Sequence, residues 1–205
     1  MLYFFLDACA TSRRYFEDIG SDIARQLFAY PGSTIIYDVI VVPETASTFT
    51  RVRNLGFFDE ERRLRLIASF RRESKEKHLV HPIENRHIEL GVELIKRHDL
   101  HGADSIHLAV AILYARELRA AGKKDRVIFV TSDGQLYKAA VAEGLETIHL
   151  WTCRCSVCGN EFIAKKGKLN RCEVCGRVCQ VCEVAGCTNE YIVTLSDLPI
   201  YPPGD

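Results

Sequence analysis

Between Met1 and about Leu150 the chain alternates short apolar runs with longer stretches of helical period. That alternation constrains the fold more than any other feature, because strands joined by helical crossovers form a parallel sheet with helices packed on it. The runs of strand length are Leu2 to Leu6, Thr34 to Tyr37, Leu79 to His81, Val127 to Thr131 and Thr147 to His149. Helical spacing covers Ser12 to Phe16, Ser21 to Tyr30, Glu60 to Lys77, Ile83 to His98, Ala103 to Ala121 and Gln135 to Glu143. Pro43 introduces one more helix, with Glu44 near its start. In the helix beginning at Ile83, the spacing assigns Ile88, Val92 and Ile95 to a buried face and leaves Arg86, Glu89, Glu93 and Lys96 to water. Pro31-Gly32-Ser33 reads as a turn, and Gly144 is placed to end the last helix. The expected fold class is therefore α/β, a parallel sheet flanked by helices.

The cysteines mark a second unit. Of nine, Cys9 stands alone, and Cys153, Cys155, Cys158, Cys172, Cys175, Cys179, Cys182 and Cys187 crowd into one segment, which sets a boundary near Trp151. A length of 205 residues suits one medium domain with a small appendage. No apolar stretch approaches the roughly 20 residues that span a bilayer, so no membrane segment is expected. The apolar opening lacks a basic leader and meets Asp7 before any cleavage site, so it reads as a buried strand rather than a signal peptide, and a cytoplasmic chain is expected. Formal net charge is zero, so any affinity for nucleic acid must come from a local patch.

Parallel α/β sheets bind ligands beyond the carboxyl ends of their strands. Asp7 ends the first strand, Asp133 follows the fourth, and Glu44 and Asp104 open helices. Four carboxylates gathered without basic partners repel one another unless cations neutralise them, and hard oxygen ligands favour Mg²⁺ or Mn²⁺. Two such ions about 4 Å apart activate a water and stabilise the leaving oxygen of a phosphodiester. Taken singly, each of these acids is equally well explained as a helix cap or a dipole partner.

The stretches Phe5-Leu6-Asp7-Ala8 and Tyr15 to Ser21, then Val42-Pro43-Glu44-Thr45-Ala46-Ser47, His101 to Ala109 and Val130 to Leu136, resemble in order the acidic motifs of PIN-domain nucleases, especially the VapC-type toxins. The resemblance covers about residues 2 to 150 and implies a PIN-like fold. It also implies an endoribonuclease site in which Asp7, Glu44, Asp104 and Asp133 hold one or two Mg²⁺ or Mn²⁺ ions and orient the attacking water. RNA is then the substrate, and an antitoxin protein and a second copy of the chain are candidate partners, with Phe57, Phe58 and Phe70 available to them or to the core. Ribosomal or other RNA-maturation nucleases, and a catalytically weak RNA- or protein-binding PIN module, are the alternatives. The chain departs from the family where Cys9, Ala10 and Thr11 follow the first aspartate, and where His101 stands in place of an arginine. His107, on the apolar helix, reads as a hydrogen-bonded core histidine.

Cys155-Ser156-Val157-Cys158-Gly159 and Cys172-Glu173-Val174-Cys175-Gly176 are matching C-x-x-C-G knuckles. Between them, Glu161 to Ala164 and Lys168 to Arg171 read as strands around a Lys165-Lys166-Gly167 turn, the pattern of a zinc ribbon in which Cys155, Cys158, Cys172 and Cys175 hold Zn²⁺. Cys153, Cys179, Cys182 and Cys187 are candidates for a second zinc site, with His149 as a substitute for Cys153. A dithiol redox pair at Cys179 and Cys182 and Fe–S ligation remain competing readings. Lys165, Lys166, Lys168 and Arg171 form a basic tip suited to an RNA backbone or simply to solvent. The expected layout is a PIN-like domain over residues 1–150, a cysteine-rich zinc-binding module over 151–193 and a tail over 194–205.

Overall fold

The computed structural model describes residues 1–154, 161–163, 170–171 and 178–179, with side chains described through Thr152. Five strands, β1 (Leu2–Leu6), β2 (Ser33–Asp38), β3 (Leu79–His81), β4 (Arg126–Thr131) and β5 (Glu146–His149), form one sheet in the order β3-β2-β1-β4-β5. Every pairing in it is parallel. The chain moves outward from β1 through β2 to β3, then returns to the other side of β1 with β4, so the crossovers reverse between β1 and β4. Crevices at such reversal points, at the carboxyl ends of the strands, are where open α/β sheets bind ligands.

The sheet is covered on both faces, which is why its central strands read as continuous apolar runs rather than alternating ones. On one face Phe4 and Leu6 of β1 join Ile128 and Val130 of β4 beneath α1 (Ala8–Ser12), α2 (Ser21–Phe28), α3 (Val41–Asn54) and α4 (Glu60–Glu76), which contribute Ala10, Ile23, Phe49 and Phe70. On the other, Phe5 and Phe129 lie beneath α5 (Asn85–Arg97), α6 (Gly102–Ala120) and α7 (Gly134–Ala142), which contribute Leu94, Leu108 and Leu136. Phe70 thus belongs to the core and Phe58 packs against it, whereas Phe57 stays exposed.

Two local expectations are corrected. The first helix lies earlier than expected, over α1, because the Asp7 carboxylate caps it by accepting the Ala10 N–H at 2.6 Å. Ile88, Val92 and Ile95 are not buried: they are 48%, 48% and 43% exposed, and α5 instead turns His87, Gly91 and Leu94 inward. The cause is close packing on α6. A Cβ at Gly91 would lie 2.9 Å from Ile106 Cδ1, so the side-chain-free position takes the contact and the aliphatic stripe is rotated outward, lining an open groove with Ile83 and Ile106. Finally, β6 (Thr152–Arg154) pairs with β7 (Glu161–Ile163), and β8 (Asn170–Arg171) with β9 (Val178–Cys179), both antiparallel. The expected partnership of 161–164 with 168–171 is not among the described pairings. The metal-binding calls on Cys153, Cys155, Cys158, Cys172, Cys175, Cys179, Cys182 and Cys187 rest on side chains outside the described residues.

Among the described residues, no helix is long and apolar enough to cross a membrane.

Candidate active site

Asp7 continues β1 and caps α1, a position that buries it to 2% exposure at the sheet's reversal point. Its Oδ1 accepts the Ala10 N–H, and its Oδ2 accepts the hydroxyl of Thr131, the last residue of β4, at 2.5 Å. Burial pushes this carboxyl up to about 6, against the opposing pull of the Thr131 and Ala10 hydrogen bonds and the charge of His107; the neighbouring Asp104 adds to the rise.

Thr131 has a second task. Its Oγ1 accepts the backbone N–H of Asp133 at 2.9 Å, so one hydroxyl joins two of the four acidic residues. Asp133 caps α7, its Oδ1 accepting the N–H groups of Gln135 and Leu136, each at 2.8 Å. Asp104 lies in the first turn of α6, behind the exposed cap residue His101. Its carboxyl is raised by burial and then by the charges of Asp133 and Glu44, while His107 and His101 oppose them.

Glu44 sits in the first turn of α3 and reaches His107, whose Nε2–H donates to Glu44 Oε2 at 2.7 Å. The other ring nitrogen, Nδ1, donates to Asp38 Oδ2 at 2.6 Å. Asp38 ends β2, is fully buried, and accepts the Ile40 N–H on its remaining oxygen. Burial alone would lower the His107 imidazole, yet hydrogen bonds to Asp38 and Glu44 carry it up to about 10. His107 is thus an imidazolium at neutral pH, hydrogen-bonded in the core as its setting in an apolar helix suggests.

The structure therefore brings Asp7, Asp104, Asp133 and Glu44 into one electrostatic neighbourhood at the carboxyl edge of the sheet. Among the described residues, no lysine or arginine forms an ion pair with any of the four, and no three His, Cys, Asp or Glu side chains are gathered as ligands of one ion. Each carboxylate except Asp104 is engaged by a donor of its own. Raised carboxyls in mutual repulsion and all-oxygen donors nonetheless suit a hard divalent cation, which would relieve both effects. Sequence reasoning misses Asp38 and Thr131. Asp38 carries the same signal as Asp7, an acid directly after an apolar run, here Thr34 to Tyr37, but no family motif contains it; Thr131 has no signal beyond its place at a strand end. Thr11 is buried on α1, and its hydroxyl, like that of Thr45, has no hydrogen-bond partner among the described residues. His149 is buried, its Nδ1 accepts the Trp151 N–H, and burial lowers it to about 4, so it is neutral.

A parallel sheet with an acidic cluster at its reversal point defines a class of α/β proteins that hold ligands at strand ends. Residues 4–142 match the model of the PIN domain, and the chain belongs to that family. Similar solved structures include VapC20 of Mycobacterium tuberculosis, a sarcin-ricin loop cleaving toxin, with 18% identity, 69% of this chain and 95% of that one covered, and a TM-score of 0.48. A toxin–antitoxin complex from Klebsiella pneumoniae has 18% identity, coverage of 72% and 97%, and a TM-score of 0.43. FitAcB from Neisseria gonorrhoeae has 11% identity, coverage of 72% and 98%, and a TM-score of 0.45. No curated protein matches the chain.

Proposed function

We propose that this chain is a metal-dependent endoribonuclease of the VapC type, hydrolysing RNA phosphodiester bonds at Asp7, Glu44, Asp104 and Asp133. The observation that carries the reading is the pairing of Asp7, at the end of β1, with Asp104, in the first turn of α6: both carboxyls are pushed up by burial and by acidic neighbours, with no basic ion-pair partner among the described residues. One or two Mg²⁺ or Mn²⁺ ions held there would lower the pKa of the attacking water and take up charge on the leaving oxygen. The chain's own residues do the rest. Thr131 fixes the Asp7 carboxylate from one side and the Ala10 amide fixes it from the other. The α7 amides hold Asp133 at the edge, and α6 projects Asp104 from its positive end. RNA is the substrate of this reading, and a protein antitoxin and a second copy of the chain are the partners it expects.

The same reading divides the chain into a nuclease domain over 1–150, a zinc module over 151–193 and a tail over 194–205. Supporting the zinc module, β6 and β7 bracket Cys155 and Cys158 in sequence, and β8 and β9 bracket Cys172 and Cys175. Each C-x-x-C-G thus falls between the two strands of an antiparallel pair, where a zinc knuckle belongs. Cys153, Cys179, Cys182 and Cys187 are the candidates for a second ion.

The test is cleavage of structured and single-stranded RNAs with Mg²⁺ or Mn²⁺ and with EDTA, beside Asp7→Asn and Asp104→Asn. Cleavage that needs the metal and is lost in both variants is expected; cleavage indifferent to either variant would rule out the proposed site.

A further inference from the structure

We propose that Asp38 and His107 are positioning residues that aim Glu44 at the metal site, an inference that rests on the nuclease reading above. The geometry is a buried chain of three side chains. Asp38 is anchored by its own strand end and by the Ile40 amide, and its Oδ2 takes the Nδ1–H of His107, which is only 1% exposed. Both ring nitrogens face carboxylate oxygens, so both must donate, and the ring can neither flip nor turn without losing a charged partner. Its Nε2–H fixes Oε2 of Glu44, whose side chain is still 35% exposed. One oxygen of Glu44 is therefore held and the other is left for the cleft.

The placement of His107 relative to the other acids supports this role. It lies three residues after Asp104 on α6, one turn further along the same face, so the helix that projects a candidate ligand also carries the clamp. β1 and β2 pair in parallel, and Asp7 and Asp38 lie at the carboxyl ends of these two neighbouring strands. The His107 ring thus bridges Asp38 and Glu44 by one hydrogen bond from each nitrogen, on the helix that carries Asp104. Partners that orient metal ligands from outside the coordination shell are worth roughly 10–100-fold in metal affinity.

The experiment is Mn²⁺ titration calorimetry on the full chain, comparing the wild type, His107→Asn, Glu44→Gln and the double variant, each first checked for cooperative thermal melting. His107→Asn should bind Mn²⁺ about 10–100-fold more weakly. In the Glu44→Gln background the same change should cost nothing further, because its route to the metal is gone. Asp38→Asn, which keeps an oxygen to accept the Nδ1–H, should lose less than Asp38→Ala, and this pair serves if His107→Asn does not fold. A folded His107→Asn with wild-type affinity would overturn the assignment, as would an equal loss in the Glu44→Gln background, which marks a merely structural role. A wild type that binds no Mn²⁺ would overturn it together with the metal site. Mn²⁺ binding with this pattern in a chain that cleaves no RNA would instead count against the nuclease reading alone, since the isotherms report binding.

Discussion

Thr131 and Asp7 are 124 residues apart in sequence, and the hydroxyl of one donates to the carboxylate of the other at 2.5 Å. This bond closes the seam between β1 and β4 at the point where the crossovers reverse, and it is buried on both sides. Thr131→Val keeps the shape but removes the donor, leaving Asp7 with the Ala10 amide alone and the Asp133 amide without its acceptor. Loss of one hydrogen bond to a charged group costs about 1.5–3 kcal/mol. Thr131→Val should therefore lower the urea midpoint at neutral pH and reduce metal-dependent cleavage, whereas Thr131→Ser should retain most of both. Equal behaviour of the two variants would show that the hydroxyl is not what matters.

Asp7 makes a pH prediction of definite sign. Its folded carboxyl is raised from the ordinary 3.8 to about 6, so between those values the native state binds more protons than the unfolded chain, and stability falls as pH rises through the window. A shift of this size corresponds to at most about 3 kcal/mol. In metal-free buffer, Asp7→Asn should therefore gain stability relative to the wild type from pH 4 to pH 6 and keep that gain above it. Urea midpoints at four pH values would measure it; a variant-minus-wild-type difference that falls with rising pH would contradict it.

His107 has a dependence of the same sign in a higher pH window. It is raised from 6.5 to about 10, so its stabilising contribution is fully present below pH 6.5 and is lost as pH climbs through about 10. Removing one member of a buried charged group costs about 3–5 kcal/mol. His107→Asn should show a loss of that order at pH 6, shrinking steadily toward pH 10 in the same unfolding assay.

Gly20 is a mutational test of how the chain just after β5 is held. Its φ is +85°, and a Cβ there would stand 2.5 Å from the carbonyl oxygen of Leu150. Backbone cannot move aside as a flexible side chain can, and the left-handed conformation adds its own strain. Gly20→Ala should destabilise by at least about 2 kcal/mol, read as a lower melting temperature. The exposed Gly32, also at positive φ but with no atom near its would-be Cβ, provides the control: Gly32→Ala should cost less.

For the cysteine-rich segment, metal analysis of the purified chain should give one to two zinc equivalents, falling by one in a Cys155→Ser/Cys172→Ser double variant. A chain that retains its full zinc content in that variant would exclude Cys155 and Cys172 as ligands.

The strands of the PIN domain are legible in sequence because their apolar runs are bounded by turn residues and acids, and with them the placement of Asp7 and Asp133 at strand ends. Helix faces are less so. In α5 the aliphatic period points to Ile88, Val92 and Ile95, but packing is decided at Gly91, where the absence of a side chain lets α6 approach, and hydrophobicity carries no trace of that. Asp38 and Thr131 are hidden for a related reason. Each looks like an ordinary end of a strand, and what distinguishes them is a partner more than 60 residues away, His107 for one and Asp7 for the other.

The central place of β1 sets an order of events during synthesis. β1 is flanked on one side by β2, made soon after it, and on the other by β4, whose residues follow more than 120 positions later. At translation speeds of about 5–20 residues per second, Asp7 waits on the order of 10 s for the hydroxyl that will hold it. Until then the first strand has an open edge, and the acidic cluster cannot assemble. The topology thus withholds the buried partner of Asp7 until β4 has been made and the sheet closes around β1.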